Sequence, residues 1–310
     1  WIQKGNEMDK IIVVSNHSKN VFKDTVYFAS PQENPTQQIE LRLSTEIDAV
    51  DYPTKSFENL PDLNISFDYD INFLTVAQFG PRKNIPSTVK WFVEEFRDEE
   101  VGLILKTNLA KNCLMDREKV TLDLTMFLRE QGERKCKVYL IHGDMEDDEI
   151  HSLYVHPQVS ALVSLAHGEG FGLPIFEACY SGLPVICTGW SGQLDFLVDE
   201  DRKEHFYNIA FDMGPVPDEV VWDGVLIKES MWAYPRENST KEQMRLCYED
   251  ITEKREDSVA LKSCEYAAEV NERFSETKQN ALFIESLSEF IETEEEKEWR
   301  DVLDQVVEYD

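Results

Sequence analysis

Cations are scarce in this chain. Lysine and arginine number 31 against 61 aspartates and glutamates in 310 residues, a net charge of −30. Proteins grip a DNA or RNA backbone with clustered cations, so a nucleic-acid footprint is absent. The same deficit disfavours adhesion to an anionic bilayer. We read the acid excess as a solvated, self-repelling surface. Cysteine supplies no framework: the six thiols, at 113, 136, 179, 187, 247 and 264, form no Cys-x-x-Cys pair and no metal-ligand spacing. Several fall in apolar segments, as buried free thiols do. This usage predicts a reduced, cytoplasmic protein. Long apolar runs are also missing. None approaches the ~20 residues that span a bilayer, and no secretory signal is visible. With 42% hydrophobic residues, the chain still has ample material for a large core.

From about residue 70 short apolar runs alternate with helical spacing. Ile71–Ala77, Val101–Lys106, Val138–Ile141 and Ser160–Ala166 read as strands. Between them Val89, Phe92, Val93 and Phe96, then Val120, Leu124, Phe127 and Leu128, then Ile150, Leu153 and Tyr154, fall at helical spacing. Repeated β-α units of this length predict an α/β fold: a parallel sheet with helices on both faces. Ligands of such sheets sit beyond the carboxyl ends of the strands. Before residue 70, Lys10–Val14 reads as a strand leading into Ser15-Asn16-His17-Ser18 and a short helix. Residues 31–70 read as a linker with one or two weak strands. Ser275–Asp310 reads as an acidic helical tail with an apolar stripe of Phe283, Leu287, Phe290 and Ile291 that should dock on something.

Glycine is concentrated in one place, His167-Gly168-Glu169-Gly170-Phe171-Gly172-Leu173-Pro174, followed by Glu177 and Gly182-Leu183-Pro184. Pro174 suits a first helical turn and Gly182 the position just past a helix end. A glycine turn entering a helix offers backbone N–H groups to an anion. Carboxylates beside it can accept hydrogen bonds from sugar hydroxyls. The segment therefore reads as a cradle for a phosphate and a sugar, with Glu177 about one turn inside the helix and able to reach back. Gly168, Gly170 and Gly172 mimic a dinucleotide fingerprint, but they come late in the sheet. The first strand-turn-helix position, Ala77–Lys83, is not glycine-rich, which excludes a nicotinamide enzyme.

Glu169-Gly-Phe-Gly-Leu-Pro…Glu177-Ala, then Gly182-x-Pro184-Val-Ile, resembles the Glu-x7-Glu signature of retaining GT-B glycosyltransferases, family 4 or group 1. The resemblance implies two Rossmann-like domains with the active site between them. It covers roughly residues 68–275 as the C-terminal, nucleotide-sugar-binding domain. Residues 1–67 then correspond to the end of a truncated N-terminal acceptor domain plus linker, with Ile11–Lys19 as that domain's last strand and turn. Residues 276–310 correspond to a tail crossing back to that domain. The implied activity is sugar transfer from a nucleotide-diphosphate sugar, UDP- or GDP-linked, to a carbohydrate, lipid or protein acceptor with retention and without a metal or other cofactor. The implied roles are Glu169 on the transferred sugar, Glu177 on the ribose, and Lys83 on the diphosphate. Gly170, Phe171, Gly172 and Leu173 form the donor cradle. Where the family often carries an arginine this chain has Gln78, and Arg82 is the candidate substitute; Lys106 is a further candidate donor contact.

Bland alternatives stand beside each role: an exposed helix residue for Glu177, a turn cap for Glu169, a solvated loop lysine for Lys83. His167 reads as an acid or base, or as a plain loop histidine. Trp190 reads as core or as pocket lining. Ser191, Gly192 and Asp195 read as near the donor or as a helix start, and His142-Gly143-Asp144 as near the base. Asp147-Asp148 reads as helix capping. Two other functions remain open at this stage: a nucleotide-sugar-binding module without turnover, and a nucleotide-sugar epimerase.

Overall fold

The computed structural model describes residues 1–30 and 36–291. The chain opens with α1 (Ile2–Gly5), β1 (Lys10–Val13) and α2 (Asn16–Asp24). β2 (Tyr27–Ala29), β3 (Ile39–Leu41) and β4 (Glu46–Ala49) follow. β1 and β4 pair in parallel, and β2 and β3 form an antiparallel hairpin. The described part of the 31–70 region thus holds two short strands, β3 and β4, as expected of it. An extended stretch then leads to β5 (Asn72–Val76), α3 (Ile85–Glu95), β6 (Gly102–Lys106), α4 (Leu114–Glu130), β7 (Lys137–Ile141), α5 (Asp147–Tyr154) and β8 (Ala161–Ser164). Next come α6 (Leu173–Tyr180), β9 (Val185–Thr188), α7 (Leu194–Leu197), β10 (Tyr207–Ile209) and a hairpin of β11 (Phe211–Pro215) with β12 (Met231–Pro235). α8 (Glu237–Glu253), α9 (Val259–Arg273), α10 (Glu276–Ser286) and α11 (Ser288–Ile291) complete the described chain.

The main sheet has six parallel strands in the order β7-β6-β5-β8-β9-β10. Successive side chains in a strand face opposite ways, and both faces here are apolar. Phe73, Leu103, Leu105, Ala161, Val163 and Ile186 join one core, roofed by α3, α4 and α8 through residues such as Phe92, Leu124 and Met244. Leu74, Ile104, Leu162, Val185 and Cys187 join the other, roofed by α5, α6 and α9 through Leu153, Phe176 and Val270. This is the expected α/β architecture with helices on both faces. The strand expected over Ser160–Ala166 is shorter, Ala161–Ser164, because Leu165 and Ala166 already turn toward the glycine block.

Strand order reverses between β5 and β8, and a crevice opens where loops leaving such neighbours diverge. The loop after β5 carries Lys83 and the loop after β8 carries Glu169. At the chain's end, the described part of the stripe is uncovered: Phe283 and Phe290 are nearly half-exposed. Residues 292–310, most of the acidic tail, lie outside the described residues.

Candidate functional site

The loop after β5 closes as a single tight turn, Pro81–Lys83, whose Lys83 N–H donates to Gly80 O at 3.0 Å. Asn84 then takes a left-handed conformation, φ 54°, and α3 begins with Pro86 in its first turn. The loop after β8 ends at Gly172, whose φ of 98° suits glycine, and α6 starts immediately with Pro174 in its first turn. Ile175 and Phe176 N–H both donate to Gly172 O at 2.9 Å, which closes the first turn of α6 on the end of this loop. His167 N–H donates to Arg82 O at 2.8 Å, so the two loops are tied together through the main chain.

Glu169 is the meeting point. Its Oε1 accepts from Lys83 Nζ at 2.5 Å and its Oε2 from Arg82 Nη1 at 2.8 Å. Arg82 Nη1 also donates to Gly168 O at 2.5 Å. The carboxylate side chain is only 8% exposed, against 44% for Arg82. Its main chain is pinned on both sides: Glu169 N–H donates to Ser191 Oγ at 2.9 Å, and Glu169 O accepts from Gly192 N–H at 3.1 Å. Glycine is required at 192, because a Cβ there would sit 2.1 Å from Gly170 O. Ser191 and Gly192 thus brace the glycine turn and also accept the N–H groups of Leu194 and Asp195 at the start of α7.

Glu177 and Lys106 have their partners elsewhere. Glu177 Oε2 accepts from Tyr154 O–H at 2.9 Å in a small recess shared with Lys55, Phe57 and Asp147. Burial pushes its carboxyl above the usual range, while Tyr154 and Lys55 pull it down. Lys106, at the end of β6, donates to Gly143 O. Burial lowers its pKa, against the pull of Asp144 and Glu149. Gln78 donates to Leu109 O at 2.7 Å, so it does not join Lys83.

His167 is not placed as an acid or base. Its ring is buried, Nδ1–H donates to Ala233 O at 2.8 Å, and the ring stacks on Trp232 with centroids 5.1 Å apart. Burial lowers its pKa, which keeps it neutral as a fastener between the glycine turn and β12. His142 bonds Asp116 at 2.8 Å, and Asp116 accepts the N–H groups of Leu109, Ala110 and Lys111. That pair shapes the loop after β6. Trp190 packs its ring over Gly168, where a Cβ would come within 2.7 Å of it. Asp147 and Asp148 lie in the first turn of α5, whose cap is Glu146 in a capping box with Glu149.

The N-terminal segment also reaches the site, which sequence reasoning missed. Ser15 O–H donates to Gly170 O at 2.5 Å. Asn16 N–H donates to Asp195 Oδ2 at 2.6 Å, and the His17 ring lies edge-on to Trp190 at 4.9 Å. The available signal was the polar run Ser15–Ser18 at the end of a strand, where site residues concentrate. Among the described residues no group of three or more His, Cys, Asp or Glu is placed to hold a metal. No described helix is long and apolar enough to cross a membrane.

Residues 127–208, which include the glycine turn and both glutamates, match the family "glycosyl transferases group 1". A serotype-specific mannosyltransferase, WbdA of Escherichia coli, is 27% identical over 157 residues, 49% of this chain but 18% of that protein. Among solved structures, sucrose-phosphate synthase of Thermosynechococcus elongatus superposes over 92% of this chain and 58% of its own, with a TM-score of 0.59 at 15% identity. HepE of Anabaena, solved in complex with UDP and glucose, superposes over 93% of this chain and 66% of its own, with a TM-score of 0.56 at 14% identity. The chain thus spans under two thirds of the length of each of these relatives. Residues 127–208 thus match the group 1 glycosyltransferases, and the chain as a whole shares the GT-B fold of these solved structures.

Proposed function

We propose that this chain carries the donor half of a retaining glycosyltransferase site that moves a sugar from a nucleotide-diphosphate sugar without a metal ion. The observation that carries this reading is the joining of Lys83 and Arg82, from the loop after β5, to Glu169 at the start of the α6 turn. As the bond between sugar and diphosphate breaks, negative charge grows on the leaving phosphate. In this reading Lys83, Arg82 and the N-terminal dipole of α6 neutralise it. Glu169 takes the hydroxyls of the transferred sugar and Glu177 those of the ribose, with Tyr154 orienting the latter. Gly170, Phe171, Gly172 and Leu173 form the cradle, and Lys106 borders it on the β7 side. The complex of HepE with UDP and glucose supports a UDP-sugar as first choice of donor, with a GDP-sugar second. Residues 1–67 belong to the acceptor side and 68–275 form the donor domain. The acceptor is a carbohydrate, a lipid or a protein.

A thermal-shift panel of UDP-, GDP- and ADP-sugars on wild type and Glu177→Ala tests this. One donor should raise the wild-type melting temperature, and Glu177→Ala should lose most of that gain. If no nucleotide sugar stabilises wild type, the donor reading is wrong. Nucleoside diphosphate released only with acceptor marks a transferase. Stabilisation without any turnover marks a binding module, the reading that Gln78 in place of a cation favours.

A further inference from the structure

Lys83 and Arg82 each hold a different oxygen of the same carboxylate, at 2.5 and 2.8 Å. These are the cations that a diphosphate would need. Two anions of like charge repel at one cation pair, so the carboxylate and a diphosphate compete there. The backbone of Glu169 is fixed by Ser191 and Gly192, so only its side chain can yield. Gly172 presents no side chain against it: a Cβ there would lie in van der Waals contact, 3.5 Å from Glu169 Cβ and 3.6 Å from its Cγ.

We propose that Glu169 is a built-in stand-in for the donor's diphosphate: it holds Arg82 and Lys83 until a nucleoside diphosphate displaces it and frees it for the sugar. This rests on the donor-site reading above and adds a second duty to one residue. While the carboxylate occupies the cations, the binding-competent state is a minor one, and apparent affinity falls by its fraction. Releasing the side chain only when diphosphate arrives also couples sugar recognition to diphosphate binding.

Calorimetric titration of UDP, GDP and inorganic pyrophosphate into wild type, Glu169→Gln, Arg82→Ala and the double variant decides the matter. Glu169→Gln keeps the side chain's shape and both main-chain bonds, and Glu169→Ala serves as a second version should the amide disturb folding. Either variant should bind UDP and pyrophosphate roughly tenfold more tightly than wild type. The extra affinity of UDP-glucose over UDP should shrink in the same variants, because the charged partner of the sugar is gone. Arg82→Ala should cost more in the Glu169→Gln background than in wild type, because in wild type it also loosens the lock. If wild type binds UDP and neither variant binds it more tightly, the lock is refuted and the donor site stands. If no form binds UDP, GDP or pyrophosphate, both fail. Binding seen only in the variants would establish the lock in its tightest form.

Discussion

Lys83 and Glu169 are far apart in the sequence yet share one salt bridge, and the reason is topological. They follow the first and fourth strands of the sheet, and those strands are neighbours at the point where the order reverses. The residue types were legible because glycine, proline and carboxylate occur together in one block. Which cations meet which carboxylate was not legible, since Arg82 and Lys106 read alike as loop and strand-end cations. The structure sends Arg82 to Glu169 and Lys106 to Gly143 O. Lys83→Ala should lower donor turnover by about 10²–10³, the usual loss on removing one preorganised charge donor from a developing anion. Its melting temperature should stay near wild type, because Arg82 still pairs Glu169. Initial rates and a thermal melt on the same preparation check both halves. A large fall in stability would mean that Lys83 serves the fold instead.

Among the elements, α6 joins fold to site. Its start is set by Gly172 and Pro174 and its stop by Gly182, whose φ is 81°. This punctuation was readable directly. Its inner face was less so: Phe176 is 1% exposed and its ring meets Phe171, Tyr180, Phe196 and Phe274. Phe176→Ala should destabilise the domain by about 3–5 kcal/mol, as expected for a large ring removed from a packed core. Urea unfolding measures it, and a loss under 1 kcal/mol would show that this cluster readily collapses around the gap. The β11–β12 hairpin lacked such signals. Its strands are joined by the 216–230 loop, and Trp222, Val225 and Ile227 on that loop are exposed, so apolar spacing there does not track burial. β10 has only three residues, too few for a periodic pattern.

On the scale of the molecule, the N-terminal segment, the linker and the domain of the six-stranded sheet meet around Asp195. Asn16 donates to its carboxylate and Arg273 Nη2 to its carbonyl at 2.9 Å. Asp51 on the linker joins them with Oδ1 buried and unpartnered. Burial first, then the neighbouring Asp195, pushes the Asp51 carboxyl from 3.8 to about 7. An acid whose folded pKa is raised binds its proton more tightly when folded. Its stabilising contribution is therefore full below about pH 4 and declines as pH rises to 7. The slope from one such group is at most about 1.4 kcal/mol per pH unit. Asp51→Asn should flatten this decline relative to wild type in urea midpoints measured from pH 4 to 8. Parallel curves for the two proteins would show that Asp51 is ionised throughout.

The residue order alone determined the parallel sheet, its double hydrophobic cover and the glycine turn. Those features follow from local spacing: apolar runs buried on both faces, helical periodicity, and the backbone demands of glycine and proline. Tertiary structure decided the rest. It sent Ser15, Asn16 and His17 to the glycine turn, turned His167 into a buried fastener, and set Glu177 against Tyr154. It also closed Glu169 on Lys83 and Arg82. Such pairings join segments distant in sequence, so they depend on the path of the folded chain, which no local pattern records.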